Sequence, residues 1–124
     1  MDKNFDKDIE QLLKTEGVVK KGDALWFKKK FFAPPGMLYL TPKRIVFEKS
    51  GNQFAGVLLK LLMRSQRSHF LHNIELSSIK ELRRDTFGLN KNILTLVLFD
   101  GTAFSFNTNG FDEWKATIEK QTLK

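Results

Sequence analysis

GMLYLTPKRIVFE, residues 36–48, reads as two strands folded about one turn. Leu38 and Leu40 alternate with Met37, Tyr39 and Thr41, and Ile45 and Phe47 alternate with Arg44, Val46 and Glu48. A period of two over two successive runs sets an apolar face against a mixed one, as a half-buried antiparallel pair requires. The turn between the runs falls at 41–43.

The same period returns downstream. Phe70, His72, Ile74 and Leu76 share one face, and Ile79 and Leu82 begin a further strand over 78–85. Asn90 and Asn92 punctuate a turn, after which ILTLVLF (93–99) is a continuous apolar run of the kind buried on both faces. Asp100 and Gly101 suit a type I′ hairpin, because both positions tolerate φ > 0, and 102–107 returns as the partner with Phe104 and Phe106 on one side. Past the turn at 107–110 the period changes to a helical one, with Phe111, Trp114 and Ile118 on one face. Asp112 and Glu113 stand early and Lys115, Lys120 and Lys124 late, as the helix dipole prefers, so a helix is predicted over 110–122.

Upstream, 18–32 is strand-like through Ala24, Leu25, Trp26 and Phe27, and the two prolines and glycine of KKKFFAPPG (28–36) predict a turn. Phe5, Ile9, Leu12 and Leu13 fall at helical spacing ahead of Gly17, a natural helix stop, which predicts an N-terminal helix within 1–16. A chain of 124 residues suits one domain with a real core. The expected architecture is mainly β: several antiparallel strands in a small sandwich or barrel, with the C-terminal helix over an open end.

Hydrophobic residues make up 41% and charged residues 28%, the balance of a folding globular domain. A net charge of +7 and a pI near 9.7 attract anionic partners, whether membrane surface, nucleic acid or acidic protein. There is no cysteine, hence no disulfide framework and no thiolate metal site. The start, MDKNFDKD, lacks the basic and apolar regions of a secretory signal, so a cytoplasmic location is expected. The longest apolar run, 54–63, is broken by Lys60 and falls far short of the ~20 residues that span a bilayer.

Two stretches carry a family resemblance. GMLYLTPKRIVFE is similar to the G-x-L-Y-L-T-x-x-R-hydrophobic-hydrophobic-F signature of GRAM domains, relatives of pleckstrin-homology (PH) domains. IELSSIKELRRDTFGLNKNILTLVLFDGTAFSF (74–106) resembles the second half of the same family, with its Asp-Gly hairpin and the later tryptophan, here Trp114. The resemblance covers roughly 17–120 and includes the bacterial single-domain members. It implies a PH-like fold of about seven strands in two nearly orthogonal sheets, plugged at one end by the C-terminal helix. It also implies a noncatalytic module that binds membrane lipids, often phosphoinositides, or protein partners. The N-terminal helix and the long insert after the third strand are extra to the family pattern. Where many PH domains carry basic residues in the second strand, this chain has Met37 to Thr41, which argues against a specific phosphoinositide headgroup pocket.

The insert, 52–68, contains FAGVLLKLLMRSQR (54–67). Wound as a helix it sets Gln53, Lys60, Arg64 and Arg67 on one stripe and Phe54, Val57, Leu58, Leu61 and Leu62 on the remainder, a basic amphipathic segment. In the PH-like fold this insert and KKKFF (28–32) emerge at the same open end. Lys28, Lys29, Lys30, Lys60, Arg64 and Arg67 would then attract anionic headgroups while Phe31, Phe32, Leu58 and Leu62 insert. The competing expectation has the apolar insert packed on its own barrel, on the N-terminal helix or on a second copy.

His69 and His72 stand three apart, which on a strand points them to opposite faces and spoils shared metal ligation. His72 is expected to be a partly buried polar residue on the core face. No nucleophile elbow and no glycine-rich phosphate loop is present, so neither catalytic residues nor a cofactor is expected. Nucleic acid ranks third as a partner despite Lys80, Arg83, Arg84 and Lys91, because the strand aromatics follow the core-facing alternation. Protein recognition at a sheet edge is the alternative to the lipid reading. The expected role is an adaptor peripheral to the inner face of a membrane.

Overall fold

The computed structural model describes residues 2–27, 33–49 and 70–122. In chain order the elements are α1 (Asp2–Glu16), β1 (Lys20–Trp26), β2 (Pro35–Leu40), β3 (Arg44–Lys49), β4 (Phe70–Glu75), a 3-10 turn (Leu76–Ser78), β5 (Ile79–Phe87), β6 (Asn90–Leu98), β7 (Ala103–Thr108) and α2 (Phe111–Thr122). The expected helical insert at 52–68 lies outside the described residues.

Hydrogen bonding runs unbroken through one seven-stranded antiparallel sheet in the order β4-β3-β2-β1-β7-β6-β5. The two sheets expected from the resemblance are thus joined through β1, which pairs with β2 on one side and β7 on the other. The sheet curls upon itself, since His72 of the edge strand β4 meets Phe104 of β7 with ring centroids 4.7 Å apart.

The alternation of 36–48 is realised as expected. Leu38, Leu40, Ile45 and Phe47 enter the core with Ile74, Leu94, Leu96 and Phe106, and α2 closes it with Phe111, Trp114 and Ile118. Tyr39 and Val46 take the outer face, where Ile9 and Leu13 of α1 cover them. Gly17, at φ +84°, ends α1 by donating its N–H to the Leu13 carbonyl. Glu16 then clamps the helix end: its carboxylate accepts from Arg44 Nε and Nη2 and from the Thr41 hydroxyl, with the ion pair at 2.9 Å and nearly buried.

Four expectations are corrected. Phe70 does not share the inner face with His72, Ile74 and Leu76: a bulge opposite Glu48 shifts the register and sends Phe70 to the outer face, against α1. Pro35 and Gly36 are not turn residues but open β2. A Cβ on Gly36 would stand 2.5 Å from the Phe47 ring, so the bare backbone is what lets that ring pass. The turn before β6 lies at 88–89, and Asn90 already pairs with Phe87. The β6–β7 hairpin is where Asp100 and Gly101 place it, yet only Gly101 is left-handed, at φ +93°. Gly101 N–H bonds the Leu98 carbonyl and Leu98 N–H bonds that of Thr102, so this is a longer hairpin loop with glycine at the left-handed position. The Asp100 side chain is occupied in accepting the Thr102 N–H.

The run 93–99, expected to be buried on both faces, is so only from Ile93 to Leu96: Val97 and Leu98 are half-buried and Phe99, in the hairpin loop, is 70% exposed. On the outer side the fully buried Thr95 gives its hydroxyl hydrogen to Asp85 at 2.6 Å, so Ser105 must be the donor in the 2.8 Å Thr95–Ser105 contact. Burial would raise the Asp85 carboxyl, but the bonds from Thr95 and Arg83 outweigh it and hold the group below its ordinary value.

Candidate functional site

Strand register places the two basic segments. β1 meets β2 through Leu25 and Pro35, β2 meets β3 through Gly36 and Lys49, and β3 meets β4 through Glu48 and Phe70. Segments 28–32 and 50–69 therefore leave from, and return to, one end of the sheet, here termed the mouth. All ten residues expected to meet a ligand, Lys28, Lys29, Lys30, Phe31, Phe32, Leu58, Lys60, Leu62, Arg64 and Arg67, lie outside the described residues. What the described strands establish is that their attachment points are neighbours.

Charge is divided along the same line. Of the 21 Lys and Arg, six fall in those two segments and Lys124 is a seventh, whereas every one of the 14 Asp and Glu lies elsewhere. The remaining fourteen cations match the acids in number, so the seven account for the whole net charge of +7. Several scaffold cations are also paired in space: Arg44 with Glu16, Arg83 with Asp85, Arg84 with Asp112, Lys115 with Glu119 and Lys20 with Glu113. The Arg84 guanidinium lies 4.3 Å over the Phe111 ring as well. Two of the four cations around β5, Arg83 and Arg84, are thus engaged with the protein itself.

Inside the mouth, residues of three strands, β1, β3 and β7, converge on His72 of β4. Its imidazole meets Trp26 edge-on at 4.1 Å and Phe104 at 4.7 Å, with Phe47 at 6.1 Å and Phe106 at 6.4 Å. His72 Nε2 is buried and has no hydrogen-bond partner among the described residues. Burial among rings pushes the imidazole down to about 4, so it is neutral at physiological pH. The sequence reading placed His72 on the core face correctly, but the cluster of rings about it combines strands far apart in the chain. On the outer side, Phe27 and Phe87 stack edge to face at 5.2 Å.

A shallow cleft of about 390 Å³ lies at the far end of β2 and β3, lined in part by Lys43, Glu75, Ser77 and Gln121. Lys43 and Arg44 line it with Glu75, and the Arg44 guanidinium is already taken by Glu16. Among the described residues no three metal-binding side chains converge. No described helix is long and apolar enough to cross a membrane.

No family model and no curated protein matches the chain in sequence. Solved structures do match in fold. The C-terminal domain of an unknown protein from Leishmania infantum aligns with a TM-score of 0.68 at 18% identity, over 98% of this chain and 96% of that one. The DH/PH domains of p115-RhoGEF align at 0.61 and 10% identity, over 90% of this chain and 32% of that one. The Slm1 PH domain, solved in complex with inositol 4-phosphate, aligns at 0.58 and 13% identity, over 85% of this chain and 95% of that one. The fold is PH-like.

Proposed function

We propose that the chain is a noncatalytic, GRAM-type module of the PH-like fold that attaches to an anionic bilayer by its mouth. The observation that carries this reading is the coincidence of two divisions: strand register roots both basic segments at one end, and those segments hold six of the seven cations that make up the net charge. The Slm1 PH domain with its bound inositol 4-phosphate supports a phosphorylated headgroup as the class of ligand. The motif GMLYLTPKRIVFE, which builds β2 and β3, supports the GRAM affiliation.

Magnitudes separate capture from anchoring. A basic residue near an anionic surface contributes about 1 kcal/mol, so the six cations of the two segments supply at most about 6 kcal/mol before ordering costs. Such capture weakens as salt rises. Each Leu58, Leu62, Phe31 or Phe32 side chain that leaves water adds roughly 1.5–3 kcal/mol that salt does not screen.

Co-sedimentation with vesicles of phosphatidylcholine, with and without phosphatidylserine, tests the reading. Binding is expected only with phosphatidylserine, to survive in part at high salt, and to drop when Lys28, Lys29 and Lys30 are all changed to Glu. Leu58→Glu is expected to remove the salt-resistant fraction while leaving the circular dichroism spectrum unchanged. An absence of vesicle binding under every condition overturns the proposal and favours a protein partner; an unfolded Leu58→Glu variant places Leu58 in the core.

A further inference from the structure

The imidazole of His72 is a titratable group whose contacts among the described residues are rings that carry no charge. From β1 it faces Trp26, from β3 Phe47, and from β7 Phe104 and Phe106, all of them rings. The acids of these strands turn away from it, Asp23 being exposed and Glu48 accepting from the Tyr39 hydroxyl, while Lys20 lies over Trp114 at the opposite end and Lys49, two residues beyond Phe47 on β3, is exposed. Burial among these rings is what lowers the His72 imidazole. A proton gained here would create an imidazolium with two donors, one of them at the buried Nε2 that lacks an acceptor among the described residues. Ring faces attract a cation, but by less than loss of hydration costs it.

The position is also a weak point of the sheet. His72 sits on the edge strand β4, directly after the bulge at its first pair with β3. Few backbone bonds oppose movement there, since an edge strand is held from one side only. The rings that would part are the described ones that meet at the mouth end of the strands.

We propose that His72 is an acid-sensitive latch: protonation of its buried imidazole drives it out of the ring cluster of Trp26, Phe47, Phe104 and Phe106 and loosens the mouth of the barrel. The latch is a property of the described strands and does not depend on lipid binding. If the bilayer reading also holds, acid frees apolar rings and adds a cation where the membrane contact is made.

The sign follows from linkage. The folded-state value lies below the unfolded one of about 6.5, so stability contributed by neutral His72 is full above pH 6.5 and is lost as pH falls toward 4. The test is an NMR titration of the full chain from pH 7 to 3.5, wild type against His72→Phe, following the His72 Cε1–H and the Trp26 indole N–H. The expected result is a His72 midpoint well below 6.5 and a Trp26 shift or broadening that follows it and is absent from His72→Phe. In parallel, the folding equilibrium of the wild type should fall roughly a hundredfold more than that of His72→Phe between pH 7 and 4. A midpoint near 6.5, or the same Trp26 transition in both proteins, overturns the latch. If His72→Phe fails to fold, His72→Gln serves as the non-titrating comparison. Vesicle binding by both proteins at pH 7 with no gain at acid pH would leave the bilayer reading standing while removing the consequence drawn from the latch.

Discussion

At one end of the curled sheet α2 drives Phe111, Trp114 and Ile118 into the core, and every ring there is backed by apolar neighbours. At the other end, among the described residues, Trp26 and Phe104 stand about a histidine whose buried Nε2 has no partner. The difference is carried into charge. Near the α2 end, Arg44 and Glu16 form a nearly buried bidentate pair and Lys20 stands 5.2 Å over the Trp114 ring. The mouth end roots the two segments whose sequence holds six Lys and Arg and no Asp or Glu. One end follows the rules of stability, and the other relaxes them where a surface would be met; such local exceptions are where function is expected.

The largest effect should come from the two tryptophans. Trp114 of α2 is 1% exposed and packs into the core beside β1, so Trp114→Ala is expected to cost about 3–5 kcal/mol. Trp26 is only partly buried, and Trp26→Ala should cost roughly half as much. Urea unfolding of both variants checks this through their midpoints. Equal losses would break the contrast between the ends, since the mouth would then be as much a part of the core as the plugged end is.

The next test uses pH. Burial alone would raise the Glu16 carboxyl, but the bonds from Arg44 and Thr41 and the charge of Arg44 hold it below its ordinary value. A depressed carboxyl contributes stability that is present above the ordinary carboxylate range and is lost as pH falls through its lowered value. Glu16→Gln is therefore expected to destabilise by about 3 kcal/mol at pH 7, leaving Arg44 nearly buried and unmatched. That difference from wild type should persist at pH 5, where the mouth has already begun to weaken through His72, and close only in stronger acid. Urea midpoints at pH 7, 5 and 3 separate the two ends. A gap that closes between pH 7 and 5 would show that the clamp and the mouth titrate together.

How far this contrast could be read in the sequence differs by element. The inner faces of β2 and β3 and the helical period of α2 were legible, because a side chain's burial there follows directly from its place in the repeat. Phe70 was not, since a single bulge residue inverts the parity that assigns a face, and no residue in 69–76 announces a bulge. The Glu16–Arg44 clamp was hidden for another reason: its partners are 28 positions apart, and only docking of α1 on Val46 and Phe70 brings them together. Of the candidate site, the two basic segments stood out by composition, whereas the ring cluster on His72 depends on how the sheet curls.

The smallest effect concerns the cations that are already answered. Arg84 is half exposed, donates to Asp112 at 2.6 Å and lies flat over Phe111, so it resembles a surface pair with some ring contact added. Exposed pairs of this kind contribute at most about 1 kcal/mol, because water screens them and two long side chains must be ordered. Arg84→Ala is expected to move the urea midpoint only slightly. It should also leave binding to phosphatidylserine vesicles unchanged, since its charge is already countered by Asp112 and it projects from the β5 and α2 side rather than from the mouth. Removal of a single cation from 28–30 removes the same formal charge, and should weaken binding measurably under the same conditions. If the two substitutions weaken vesicle binding equally, total charge governs the association and the division between the ends has no part in it. If only the loop substitution acts, the position of the charge at the mouth is what the bilayer reads.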